Sequence, residues 1–215
     1  MSADLVRLVR HGEVHNPAGV LYGRLPEFHL SERGREMAAL AAESLAGHDI
    51  RRVVASPLTR TRESAQPWLD LFRPTLQQTG LEIDERLIEP TNVFEGVNIR
   101  RAVRSNPLLA RHLRNPWKPS WGEPFAAIAA RMMAAIRDAH ASVDGGEVVL
   151  VSHQAPIWMV ARTVQGKPLA TDPRTRRCAL SSITTLAFRD GAYVEAGYQE
   201  PAAALLEHAV DEGAV

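Results

Sequence analysis

Five side chains that could bind or transfer a phosphoryl group each follow a short apolar run of the sequence. They are Arg10, His11, Arg60, Glu89 and His153. Two guanidinium groups can each donate two hydrogen bonds to phosphate oxygens and offset the negative charge of those oxygens. Imidazole and carboxyl groups can serve as nucleophile and proton donor. Each residue alone indicates little, but the set predicts phosphoryl-transfer chemistry.

The apolar runs that precede these side chains are typical of buried strands. They cover Leu5–Arg10, residues 53–55, residues 81–87 and residues 148–151. Each is short and is bounded by loop or turn residues. Ligands bind outside the carboxyl ends of the strands in a parallel α/β sheet. We therefore expect the five reactive side chains to meet at one edge of such a sheet.

Helical patterns alternate with the predicted strands. The first helix should begin after Ser31, a favourable N-cap, and end at Gly47, a favourable C-cap. The second spans residues 58–72, where Pro67 should kink or divide it. The last two helices are predicted at residues 122–143 and 157–164.

The alternation of strands and helices predicts an α/β fold with three layers, α/β/α, around a mostly parallel central sheet. Residues 182–188 and 193–198 flank Asp190-Gly191, which is a hairpin signal, so an antiparallel edge strand is expected. A length of 215 residues suits one domain, residues 1–215.

Composition excludes several classes of protein. Cys178 is the only cysteine, so neither an internal disulfide nor a cysteine zinc site is possible. The 25 basic and 25 acidic residues balance, which argues against nucleic acid or an anionic membrane as a partner. The first residues do not resemble a signal peptide, and no run of 18 apolar residues occurs, so we expect a cytoplasmic protein.

Two segments differ from the rest of the chain in charge. Between residues 97 and 122 there are six basic residues and no acidic one, and residues 90–121 are predicted to be a cap insertion. After Arg189 the chain has acidic residues but no Lys or Arg, and residues 200–215 are predicted to be a tail. The basic segment could select anionic substrates as a lid, or it could be held by the acidic tail.

Three sequence blocks together resemble the histidine phosphatase superfamily, also called the phosphoglycerate mutase-like family. They are Leu-Val-Arg-His-Gly-Glu at residues 8–13, Ser-Pro-Leu-Thr-Arg at 56–60 and Val-Leu-Val-Ser-His at 149–153. Supporting matches lie at residues 30–34, 86–89, 94–96 and 122–123. The order and context of the blocks make the resemblance strong from residue 5 to about residue 165.

The resemblance implies a role for each of the five residues. His11 would be the nucleophile, with one ring nitrogen fixed by the carbonyl of Gly12. Arg10, Arg60 and His153 would hold the phosphate, and Glu89 would be the proton donor. Glu95 and Glu13 compete with Glu89 for that role.

The same resemblance suggests further phosphate or substrate ligands, with some departures from the family pattern. Asn16 comes one residue earlier than the family's asparagine, and Gln154 stands where glycine commonly follows the second histidine. Gly23, with its neighbours Tyr22 and Arg24, resembles a loop on the substrate side. We expect Asn16, Gly23 and Gln154 to contribute to substrate binding.

The expected activity is that of a metal-independent phosphatase acting on a small phosphorylated substrate through a phosphohistidine on His11. The six other histidines lack the spacing of metal ligands, so no metal or other cofactor is expected. Two alternatives remain at this point, a phosphoglycerate mutase-type transfer and a non-catalytic module that binds a phosphorylated ligand. The assembly is expected to be a monomer or a homodimer.

Overall fold

The computed structural model describes residues 2–77, 80–98, 122–170 and 175–211, and a six-stranded mixed sheet forms its centre. The strands are β1 Leu5–Arg10, β2 Ile50–Ala55, β3 Glu82–Ile83, β4 Glu147–Ser152, β5 Ile183–Arg189 and β6 Ala192–Gln199. The helices are α1 Glu32–Glu43, α2 Thr59–Phe72, α3 Phe125–Ala141, α4 Gln154–Val164 and α5 Ala203–Leu206, with a 3-10 turn at Glu85–Leu87.

The strand order is β3-β2-β4-β1-β5-β6, and the first four strands of that order are parallel. β5 is antiparallel to β1, and β6 is antiparallel to β5. Asp190 and Gly191 both have positive φ, 51° and 81°, as the two-residue turn between β5 and β6 requires. The predicted α/β class, the largely parallel sheet and the antiparallel edge are confirmed.

Helices cover both faces of the sheet, which gives the three predicted layers. On one face, α3 and α4 pack on Val6, Leu8, Val148 and Leu150. On the other face, α1 and α2 pack on alternate residues of the same strands. The central strands β1 and β4 are therefore apolar almost throughout, as expected for strands buried on both sides.

The third predicted strand is shorter than residues 81–87. β3 contains only Glu82–Ile83, because the side chain of Asp84 accepts a hydrogen bond from the Arg86 N–H at 2.9 Å and turns the chain into the 3-10 segment. That turn buries Leu87 completely. It also directs the following residues towards the end of β4, where the Ser152 hydroxyl donates to the Leu87 carbonyl at 2.7 Å.

Two helix predictions need correction. Ser31 caps α1 as expected, its Oγ accepting from the Gly34 N–H at 3.0 Å, but the helix ends at Glu43 rather than at Gly47. The hydroxyl of Ser44 bonds back to the Ala41 carbonyl at 2.8 Å, which offers the chain an alternative to another helical turn. Pro67 does not divide α2, because Trp68 and Phe72 on the next turn are buried against the sheet and stabilise the helix despite its lost hydrogen bond.

The ends of the predicted cap insertion lie together. Asn92 and Gly122 form an antiparallel bridge, and a Cβ on Gly122 would lie 2.0 Å from the Thr91 carbonyl oxygen. Most of the insertion, including Arg100, Arg101 and Arg104, lies outside the described residues. In the part of the chain that the structure describes, no helix has the length and apolarity needed to cross a membrane.

The loop after β1 lies unusually close to α1. A Cβ on Gly12 would be 2.2 Å from the Gly34 carbonyl oxygen, and a Cβ on Gly34 would be 2.0 Å from the Glu13 carbonyl oxygen. Only glycine at both positions allows this backbone contact. It fixes the residue after His11 against the first turn of α1.

Gly34→Ala should therefore destabilise the protein, although alanine normally favours a helix interior over glycine by about 1 kcal/mol. The clash is with main-chain atoms that cannot rotate away, so we expect a loss of about 1–3 kcal/mol in the free energy of unfolding. Chemical denaturation measures this change. Gly47→Ala is the matched control, since no atom lies within 4 Å of its added Cβ. Equal stability of the two variants would contradict the close contact.

Candidate active site

His11 lies at the carboxyl end of β1 and is 1% exposed. Its Nδ1 is 2.8 Å from the Gly12 carbonyl oxygen, which can only accept, so Nδ1 carries the proton and Nε2 keeps its lone pair. Burial, together with Arg60 and Arg10, lowers the pKa of His11 well below its usual value. A neutral imidazole with an unprotonated Nε2 is the form that can act as a nucleophile.

His153 is the residue immediately before α4 and is fully buried beside His11. The centroids of the two rings are 5.2 Å apart, and Nε2 of His153 is 2.8 Å from the Ser56 hydroxyl oxygen. Burial and the charge of Arg60 lower the pKa of His153 well below its usual value. Two neutral imidazoles therefore lie together, at the ends of the adjacent strands β1 and β4.

Arg60 is placed by the turn that joins β2 to α2. The Thr61 hydroxyl bridges the carbonyls of Ser56 and Leu58 at 2.9 and 2.7 Å, which fixes the start of the helix. The buried guanidinium of Arg60 donates from Nη2 to the Gly23 carbonyl at 2.6 Å and lies 4.7 Å from the centroid of the Tyr22 ring. These contacts hold a charge inside the protein near both histidines.

Arg10 is also completely buried, at the end of β1. Its Nη1 donates to the Cys178 carbonyl at 2.7 Å and to Asp211 Oδ2 at 2.8 Å, and its Nη2 pairs with Asp211 Oδ1. Burial alone would lower the pKa of Arg10, but the attraction and hydrogen bonds of Asp211 raise it instead. Arg10 is therefore fully charged at the same end of the sheet as His11.

Glu89 is buried where the segment after the 3-10 turn passes the end of β4. Its Oε2 is 3.5 Å from His153 Nδ1, and its carbonyl accepts from Arg24 Nε at 2.6 Å. Burial raises the pKa of Glu89, although Arg60 and Arg176 act in the opposite direction. A carboxyl group with a raised pKa can remain protonated and donate that proton.

The two competing carboxylates lie in different surroundings. Burial would raise the pKa of Glu13, but hydrogen bonds from the Ser31 hydroxyl and the Val210 N–H lower it. Glu95 Oε1 accepts from the Arg24 N–H at 3.0 Å and thereby holds the loop that contains Gly23. Glu89 and Glu13 thus differ, since the pKa of Glu89 is raised and that of Glu13 is lowered.

Four buried polar atoms from these residues lack a hydrogen-bond partner within the described residues. They are Arg10 Nε, Arg60 Nε, His153 Nδ1 and Glu89 Oε1. Buried polar atoms in native proteins are almost always paired. A phosphate group offers acceptors for the two Nε–H groups, so the donor set fits a phosphoryl ligand.

The three additional predicted ligands stay predictions, and the structure places them as follows. Both ends of the Asn16 amide bond to Val20, Nδ2 to its carbonyl at 2.8 Å and Oδ1 to its N–H at 3.2 Å. Gly23 has φ of 38° and offers its carbonyl to Arg60. Gln154 begins α4 beside His153, with its Oε1 3.4 Å from Arg176 Nη1.

Sequence reasoning missed two charged residues of this site, Arg176 and Asp211. Arg176 is half-buried and close enough to influence the pKa of Glu89. Burial and Arg10 lower the pKa of Arg176, while Glu89 raises it. Neither residue follows an apolar run, so no local signal in the sequence predicts that they lie near the end of β1.

Among the described residues there is no group of three metal-ligating side chains that could hold an ion.

Comparison with known proteins identifies the class to which this fold and site belong. The family model of the histidine phosphatase superfamily (branch 1) matches residues 6–200, so the chain belongs to that superfamily. The chain is similar to the uncharacterized protein Rv0525 of Mycobacterium tuberculosis, with 47% identity over 200 residues, 92% of this chain and 96% of the relative.

Two relatives with named activities differ in the reaction. Phosphoserine phosphatase 1 of Hydrogenobacter thermophilus is 30% identical over 158 residues, 70% of this chain and 71% of that protein. The probable phosphoglycerate mutase GpmB of Photorhabdus laumondii is 27% identical over 187 residues, 83% of each chain. The family thus includes both phosphatases and mutase-like relatives of this chain.

Proposed function

We propose that this protein is a metal-independent phosphatase that hydrolyses a small phosphomonoester through a phosphohistidine on His11. The observation that supports the proposal most directly is the pair of protonation states that His11 and Glu89 have in this site. His11 is neutral with Nε2 unprotonated, and Glu89 is a buried carboxyl whose pKa is raised. A nucleophile and a proton donor are both needed to break a phosphate ester of a poor leaving group.

In the first step, Nε2 of His11 attacks phosphorus while the bond from phosphorus to the ester oxygen breaks. The proton of Glu89 passes to the departing oxygen, which leaves as an alcohol. Arg10 and Arg60 stabilise the charge on the phosphoryl oxygens throughout the transfer. The products are a phosphohistidine and an ionised Glu89.

In the second step, ionised Glu89 removes a proton from water as the water oxygen attacks phosphorus. The bond between phosphorus and Nε2 breaks, and its electron pair returns to the His11 ring. Inorganic phosphate leaves, His11 is again neutral and Glu89 is again protonated. The cycle needs no metal ion because the two arginines supply the positive charge.

The second candidate function is that of a mutase, because the chain is 27% identical to a probable phosphoglycerate mutase. A mutase must keep its phosphoenzyme from water and needs extra cations for a second anionic group on the substrate. Arg176 is one such cation near Glu89. We place hydrolysis first because the relative that is 30% identical to this chain is a phosphoserine phosphatase. Release of inorganic phosphate, as opposed to return of the phosphoryl group to an alcohol, separates the two reactions.

His11→Ala should abolish phosphate release from phenyl phosphate, because no neighbouring group can replace the covalent step. The wild-type chain should carry an acid-labile, base-stable phosphoryl label on His11, detected by mass spectrometry after rapid quenching. His15→Ala is the control, since His15 is exposed and close in sequence. A label on Ser56, or full activity in His11→Ala, would contradict the mechanism, and ligand binding without turnover in the wild type would indicate a binding module.

Glu89→Gln should slow phenyl phosphate hydrolysis by roughly 10²-fold, and p-nitrophenyl phosphate hydrolysis much less, because nitrophenolate departs without a proton. In the wild type, kcat/KM for phenyl phosphate should fall as pH rises through the raised pKa of Glu89. That decline should be missing in the variant. Steady-state kinetics with the two esters tests both statements.

Glu95→Gln is the matched control for Glu89, since it changes a carboxylate that holds the Gly23 loop. We expect it to affect the two esters equally. Equal losses for both esters in Glu89→Gln would show that Glu89 has a structural role. A selective loss for phenyl phosphate in Glu95→Gln would make Glu95 the proton donor.

A further inference from the structure

The end of the described chain reaches the site through Asp211. Its carboxylate pairs with the Nη1 and Nη2 atoms of Arg10, with Oδ2 2.8 Å from Nη1. Arg10 is completely buried, whereas the side chain of Asp211 is 38% exposed. The two residues are 201 positions apart in the sequence.

Several contacts fasten the segment that carries Asp211. Arg33 Nη1 donates to the His208 carbonyl at 2.7 Å, and the Val210 N–H donates to Glu13 Oε1 at 2.7 Å. Residues of α5 and Ala209 pack on a small apolar cluster of Met37, Leu180 and Ala202. Asp211 therefore follows a segment held to both α1 and the His11 loop.

The planar guanidinium of Arg10 has five N–H groups in a fixed arrangement. Both N–H groups of Nη1 and one of Nη2 donate hydrogen bonds to the Cys178 carbonyl and the Asp211 carboxylate. The other edge consists of Nε–H and the second Nη2 proton, and this Nε is buried without a partner in the described chain. Such an edge can donate two parallel hydrogen bonds to one phosphate.

We propose that Asp211 is a positioning residue that holds the Nη edge of Arg10 and so presents the Nε edge to the phosphoryl group. This inference rests on the proposed function. Nη1 donates to both Asp211 and the main-chain carbonyl of Cys178, so the Nη edge faces the protein. Asp211 and the phosphate thus occupy two different edges of one guanidinium.

Calorimetric titration with inorganic phosphate at constant ionic strength tests this assignment without needing turnover. Asp211→Asn should raise the Kd of phosphate by roughly tenfold or more, because the buried guanidinium of Arg10 loses its charged partner. Glu207→Gln is the control, since it removes an equal charge from an exposed position of the same segment. Its Kd should equal that of the wild type.

A double-mutant cycle separates positioning from a general structural effect. In an Arg10→Ala background, Asp211→Asn should change the Kd of phosphate no further, because Asp211 acts through Arg10. Asp211→Glu keeps the charge but moves it, so its Kd of phosphate should lie between those of the wild type and Asp211→Asn. Thermal melting of each variant verifies that the fold is retained.

Three results would overturn the inference. An unchanged Kd in Asp211→Asn would show that Arg10 needs no such support. Tighter phosphate binding in Asp211→Asn, but not in Glu207→Gln, would show that Asp211 competes with the phosphate. A wild-type chain that neither binds nor releases phosphate would instead overturn the proposed function, and the inference with it.

Discussion

The burial of two guanidinium charges beside two histidines is the constraint on which the rest of the site depends. Arg10 is 0% exposed and Arg60 is 1% exposed. A buried charge is costly unless it is paired and hydrogen-bonded. The protein supplies acceptors to both Nη atoms of Arg10 and to Nη2 of Arg60, and leaves both Nε atoms without a partner in the described chain. A bound phosphoryl group would complete this pairing.

Burial shifts the pKa values of the neighbouring groups, and the two charges add to its effect on the histidines but oppose its effect on Glu89. Burial and the arginines lower the pKa values of His11 and His153, and burial raises that of Glu89. His11 is therefore neutral and Glu89 can stay protonated, which is the combination that the proposed mechanism needs. Groups whose surroundings move their pKa values apart in this way are typical of acid–base catalysis.

Much of this arrangement was predictable from sequence because parallel strands end at one edge of a sheet. Arg10 is the last residue of β1, His11 and His153 directly follow β1 and β4, and Arg60 follows the turn after β2. Glu89 follows the apolar run at residues 81–87, although that run forms only a two-residue strand and a 3-10 turn, and its role as proton donor is implied by the family resemblance. Asp211 could not be predicted, because one acidic residue in an acidic tail carries no signal of its distant partner.

The errors in the helices have a similar origin. Gly47 and Pro67 are strong local signals, but a hydroxyl bond at Ser44 ends α1 earlier and packing of Trp68 keeps α2 intact. Local propensity is a weak prior that tertiary contacts can override. For Gly12 and Gly34 the sequence motifs were matched correctly, since both glycines lie in the blocks that resemble the family. The reason that both must be glycine, their close backbone contact, is visible only in the fold.

The most direct test of the central claim is ¹⁵N NMR of the histidine ring nitrogens, with His11 assigned by its missing signals in His11→Asn. The ordinary histidine pKa is about 6.5, so an exposed ring would be mostly protonated at about pH 5.5. The burial and charges described above predict a neutral His11 at that pH, with the proton on Nδ1 and a bare Nε2. A doubly protonated ring, or a neutral ring with its proton on Nε2, would contradict the account.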